Sequence, residues 1–151
     1  MKRVVTWCLL IAMIGCIIPT FGYAAATEDK IVAVFGDGSY ITEEIAVTQP
    51  RASGSKAGTK SHTYYSEDGT AKWKATLTGT FSYTGTSATC TGASCNVTIY
   101  DSAWHTISKT ATKSGNTANA SVTIGKKLLG VTVAQIPTSI SITCDNNGNL
   151  S

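Results

Sequence analysis

The stretch Lys72-Trp73-Lys74-Ala75-Thr76-Leu77-Thr78-Gly79-Thr80-Phe81-Ser82-Tyr83-Thr84 decides the fold. Trp73, Ala75, Leu77, Gly79, Phe81 and Tyr83 share one parity; the lysines, threonines and Ser82 take the other. Strand side chains alternate between faces, so strict alternation of this length predicts a half-buried β-strand, and no 3.6-residue stripe passes through it. Gly79 at its centre predicts a bulge or bend, at which so long a strand would be free to switch sheets.

Working toward the C-terminus, further alternating rows predict strands at 96–100, 104–112, 117–124 and 138–144. Val97 and Ile99 point inward in the first of these, and Ala118, Ala120, Val122 and Ile124 in the third. Leu129, Val131 and Val133 read as another inward row, ended by Pro137, and Ile140, Ile142 and Cys144 as the last. Turns are expected at Asp101-Ser102, Ser114-Gly115-Asn116, Gly125-Lys126-Lys127 and Asp145-Asn146-Asn147-Gly148. Toward the N-terminus, 61–66 pairs with the Lys72 strand through Asp68-Gly69. Before that, 31–35 and Tyr40-Ile41 around Gly36-Asp37-Gly38 permit a short hairpin, a processed leader or an extra edge strand. Residues 49–60, with Pro50, Gly54 and Gly58, read as a flexible connector. The chain is therefore expected to be all-β: a sandwich of Ig-like, Greek-key type with about six to eight short antiparallel strands over 61–151. Its core is expected to hold Trp73, Leu77, Phe81, Ile99, Val122, Val131, Ile140 and Ile142.

Residues 1–26 read as a cleaved signal peptide: Met1-Lys2-Arg3, an apolar run from Val4 to Ile18, then Ala24-Ala25-Ala26. The run is too short for a comfortable span, which places the protein outside the cell with no transmembrane segment in the mature chain. Cys16 follows Met13-Ile14-Gly15, a lipobox-like context, and a lipid anchor there is the alternative; Ile17 and Ile18 continue the apolar core past it and argue against it. Residues 27–60 would form an N-terminal segment before the main domain. The full chain carries a net charge of +3, and removal of Lys2 and Arg3 leaves about +1, with the lysines scattered. Nucleic acid is not an expected partner. Roughly three mature residues in ten are Ser or Thr, interleaved with Val, Ile, Trp and Phe, which suits strands rather than a glycosylated stalk.

Cys90, Cys95 and Cys144 would remain after export, and an oxidising exterior favours pairing. Cys90–Cys95 would close a loop of six residues, worth about 2 kcal/mol, and Cys90–Cys144 one of 55 residues, worth about 4 kcal/mol. The longer closure is favoured, leaving Cys95 a buried thiol; the shorter stays open as an alternative. His62 and His105 read as ordinary surface histidines without an orienting partner, and the Cys and His spacings suit no zinc site. Gly148 is too close to Asp145 for a calcium loop, and Glu43-Glu44 and Glu67-Asp68 are adjacent rather than opposed. No catalytic constellation, metal or cofactor is expected. Trp104, Tyr64 and Tyr65 are the candidates for contact with a ligand, as an aromatic platform for a sugar or peptide.

From Ala71 to Ser151 the chain resembles a family of small exported proteins of Gram-positive bacteria. The likeness rests on Trp73 through Tyr83, Trp104, Ser114-Gly115-Asn116-Thr117-Ala118 and Thr143-Cys144-Asp145-Asn146-Asn147-Gly148. In that pattern one Cys follows the Phe-x-Tyr strand and another precedes the terminal turn. The resemblance thus implies a Cys90–Cys144 bridge, with Cys95 as a departure; it implies no catalytic residues. The function expected is a secreted, non-enzymatic binding or interaction protein, its partner an envelope glycan, host glycan or protein. A small toxin or bacteriocin-like effector is the alternative, favoured by any membrane-facing apolar patch.

Overall fold

A computed structural model describes residues 29–52 and 54–151, without the side chains of 48–52; the expected signal peptide and the lipidation candidate Cys16 lie outside the described residues. Eight strands follow one another: β1 (Lys30–Val34), β2 (Tyr40–Ala52), β3 (Ser55–Tyr65), β4 (Ala71–Tyr83), β5 (Ala88–Ile99), β6 (Trp104–Ser114), β7 (Thr117–Leu128) and β8 (Val131–Thr143). They form a five-stranded sheet, β1-β2-β3-β4-β5, and a three-stranded sheet, β6-β7-β8, antiparallel throughout and packed as a sandwich. All-β architecture is as the alternation predicts. Within each sheet, neighbours in space are neighbours in the chain. Each layer is a meander, and the Greek-key crossover is not used, because short turns return each strand beside the one it has just left.

β4 carries the seam between the layers. Trp73, Ala75, Leu77 and Phe81 are fully buried and meet Ala118, Ala120, Val122 and Ile124 of β7 and Ile140 and Ile142 of β8. Each of the larger side chains contributes about 1.5–3 kcal/mol by leaving water. Gly79 does not redirect β4, which pairs with β3 and β5 along its length. Its missing Cβ instead makes room for the Phe81 ring, whose carbons lie 2.7 Å from where that atom would be. The irregularity is next door, where Thr80 and Phe81 pair with Gly92 and Cys90 and leave Thr91 over. Trp73 Nε1 is buried without a hydrogen-bond partner, a cost of about 1–3 kcal/mol carried inside the core.

Several segments depart from the sequence expectation. The supposed connector 49–60 is the end of β2 and the start of β3, so residues 30–60 belong to the same sandwich as 61–151. Gly58 is small because Leu150 sits directly on it, and Lys56 Nζ donates to the Gly148 carbonyl at 2.8 Å. The C-terminus thus pins this hairpin. β7 runs on through Gly125-Lys126-Lys127, since Gly125 lies beneath His105 and Ile107, and the turn falls at Leu129-Gly130. Val131, expected in the core, is 65% exposed, and Leu129 and Val133 are exposed with it. Their row continues past the last cover that the five-stranded sheet supplies. Pro137 stands inside β8, opposite Thr123, where an edge strand tolerates a residue without N–H. Ile99 is half-buried.

Two substitutions test this packing. Phe81→Ala is expected to cost about 3–5 kcal/mol in denaturant unfolding. Gly58→Val should displace Leu150 and cost about 1–3 kcal/mol, with proteolysis beginning at the C-terminus.

Candidate functional site

The turns that follow β1, β3 and β5 gather at one end of the sandwich, joined there by Lys126 of β7 and Ala134-Gln135-Ile136 of β8. Between them lie two adjoining pockets of about 290 and 310 Å³, which share Asp37, Ser39, Tyr64, Trp104 and Lys126. Their floor is aromatic. Tyr64 stacks on Trp73 with ring centroids 5.5 Å apart and 3° between planes, meets Trp104 at 5.0 Å and forms a T-shaped pair with Phe35 at 5.8 Å. Lys126 Nζ lies 5.7 Å over the Trp104 ring, a cation–π arrangement.

The rim is set by three Asx-type turns. Asp37 accepts from the Ser39 hydroxyl and amide, Asp68 from the Ser66 hydroxyl and Thr70 amide, and Asp101 from the Ala103 amide. Lys72 joins Asp101 at 3.2 Å. These contacts stabilise the charged forms. Ser39 holds Asp37 below its ordinary value, and Ser66 and then Thr70 hold Asp68 down to about 2. The Ala103 amide and then Lys72 lower Asp101. All three carboxylates therefore face the pocket as anions at neutral pH, beside Lys72 and Lys126. The arrangement provides hydrogen-bond acceptors, two ammonium donors and an apolar floor; it gathers no nucleophile and base.

Of the sequence candidates, Trp104 and Tyr64 come together here, but both are buried. The exposed aromatic of the pocket is Phe35. Tyr65 points to the other side of the sheet and stacks on Tyr40 at 5.1 Å, away from the pocket. Phe35, Asp37, Lys126 and Gln135 were not legible as site residues. Gly36-Asp37-Gly38 reads as a turn after a strand ending at Phe35, and nothing in a sequence tells which turns share an end.

His62 is not a surface residue. It is buried between the layers, its Nδ1 2.6 Å from Thr138 Oγ1 on β8 and its Nε2 3.2 Å from Glu43 Oε2 on β2. Lys60 adds an ion pair to Glu43 at 3.8 Å. The order carboxylate–imidazole–hydroxyl is that of a hydrolytic triad, yet this ring sits in the seam and joins three strands, away from the aromatic pocket. It fastens one layer to the other.

Among the described residues, Cys90, Cys95 and Cys144 are free thiols, so the expected Cys90–Cys144 bridge is not formed. Each of the two thiols turns to a carbonyl near its own place in the chain: Cys90 Sγ to Gly92 O at 3.3 Å, and Cys144 Sγ to Asp145 O at 3.4 Å. Burial raises the Cys95 thiol and, ahead of the nearby Asp145, the Cys144 thiol, which leaves both poor nucleophiles at neutral pH. Asp145-Asn146-Asn147-Gly148 is a turn: Asp145 accepts from the amides of Asn147 and Asn149, and no metal-binding group occurs among the described residues. No family model, curated protein or solved structure matches this chain.

Two measurements follow from the geometry. Because the folded-state values of Asp37, Asp68 and Asp101 are depressed, their contribution is complete above the ordinary value of 3.8 and fades as pH falls toward about 2. Aromatic fluorescence from this end should change over that acid window, and Asp68→Asn should flatten its lower part. In thiol labelling of the native protein, Cys95 should react first, with Cys90 and Cys144 protected until global unfolding.

Proposed function

We propose that this protein is exported and acts outside the cell as a non-enzymatic binding protein, with its ligand seated in the aromatic-floored end pocket. The observation that carries the reading is the convergence of Phe35, Tyr64 and Trp104 beneath the Asp37, Asp101 and Lys126 side chains. An apolar floor with a few convergent polar groups is how a concave site holds and orients a small ligand. Rings that pack against C–H faces, with carboxylates accepting from hydroxyls, suit a sugar unit of an envelope or host glycan. The leader-like residues 1–26 and the likeness to small exported proteins of Gram-positive bacteria support the location.

The alternative, a small secreted toxin or bacteriocin-like effector, draws support from one feature, the exposed apolar tip of the β7–β8 hairpin. Growth inhibition of neighbouring bacteria by purified protein would favour it. Among the described residues, no helix is long and apolar enough to cross a membrane.

A glycan array probed with purified protein tests the binding reading. Binding to a defined glycan class should weaken about fivefold or more in Phe35→Ala, given the worth of one aromatic contact, and should also fall in Asp101→Asn. Absence of binding across the array, or binding indifferent to both substitutions, would remove the pocket as the site.

A further inference from the structure

The β7–β8 hairpin ends in a side chain placed against two rules at once. Leu128 pairs with Val131, and the two residues between them, Leu129 and Gly130, have φ of 52° and 84°. Both central residues in the left-handed region mark a type I′ turn, which favours Asn-Gly or Gly-Gly. A leucine there costs roughly 1–2 kcal/mol of backbone strain, and Leu129 is 98% exposed, so no burial within the fold offsets it. Leu128, Val131 and Val133 are exposed around it. From Lys126 to Gln135 every residue is exposed, so the tip projects as a convex finger.

Charge indicates what this finger meets. Between Asp101 and Asp145 there is no acidic residue, while Lys109, Lys113, Lys126 and Lys127 all fall there. The charged side chains of the three-stranded sheet are therefore all basic, with Lys127 immediately behind the leucines and Lys126 turned to the end pocket over Trp104. The carboxylates at this end belong to other turns, and Asp37 and Asp101 share the field of Lys126. A convex tip of three or four aliphatic side chains matches no complementary hollow of its own. It suits a soft interface that is apolar within and anionic at its surface.

We propose that the β7–β8 hairpin is a lipid-docking finger, which inserts Leu128 and Leu129 into the interface of an anionic bilayer while Lys127 meets the headgroups. Leu128, Leu129 and Lys127 line neither end pocket, so Leu129→Asn should leave glycan binding untouched and Phe35→Ala should leave vesicle binding untouched.

Cosedimentation of the purified protein with vesicles tests it. Binding is expected to vesicles of phosphatidylglycerol and phosphatidylcholine, and about fivefold less to phosphatidylcholine alone, in line with one lysine near the surface. Leu129→Asn should weaken vesicle binding about tenfold, given the apolar surface removed, while its melting temperature stays level or rises, because Asn fits the turn. That opposite movement separates docking from misfolding. Lack of binding to anionic vesicles, equal partition onto neutral ones, or binding unchanged by Leu129→Asn overturns the proposal. So does a dimer in sedimentation equilibrium that the same substitution dissociates, which would assign the finger to a second copy of the chain.

Discussion

The structure depends on the fit between one face of β4 and the facing rows of β7 and β8. Trp73, Leu77 and Phe81 project far; Ala118 and Ala120 opposite them project little, and Gly79 gives up its side chain so that Phe81 can fold back. Large residues over small ones keep the layers at a uniform separation without voids. That separation places Tyr64 on Trp73 and Trp104 against Tyr64, and so builds the floor of the end pocket from the same stack that closes the core. It also brings Thr138 within hydrogen-bond reach of His62. A lost methylene in this seam is therefore felt at the pocket.

Much of the fold was legible because alternation is a local signal. β4 was read within a residue of its ends, and the inward row from Ala118 to Ile124 was correct side chain by side chain. The failures share a cause. The rows of Leu129, Val131 and Val133 and of Val97 and Ile99 have the same pattern, yet only the second has a sheet across from it. Parity tells which face a side chain takes; whether that face is covered depends on the length of the opposite layer. Residues 49–60 failed for the converse reason: Gly58 and Lys56 looked like connector residues, and their partners, Leu150 and the Gly148 carbonyl, lie about ninety positions away.

The candidate site was legible only in part. Tyr64 and Trp104, the aromatic candidates of the sequence, do meet, although as buried rings rather than an open platform. The rim came from Asx turns whose conformations are written locally at Asp37, Asp68 and Asp101, whereas their convergence is a property of topology. His62 shows the same limit. Its neighbours in sequence, Ser61 and Thr63, suggest an ordinary polar strand, and its hydrogen-bond partners arrive from β2 and β8.

The consecutive order of strands in both layers has a kinetic corollary. Every pairing within a sheet joins segments separated by one tight turn, so each new rung is added at small loop entropy, like a zipper advancing from hairpin to hairpin. The sole distant event is the collapse of one ribbon onto the other. The transition state for folding should therefore lie at that collapse, with the Trp73–Phe81 ridge as its nucleus.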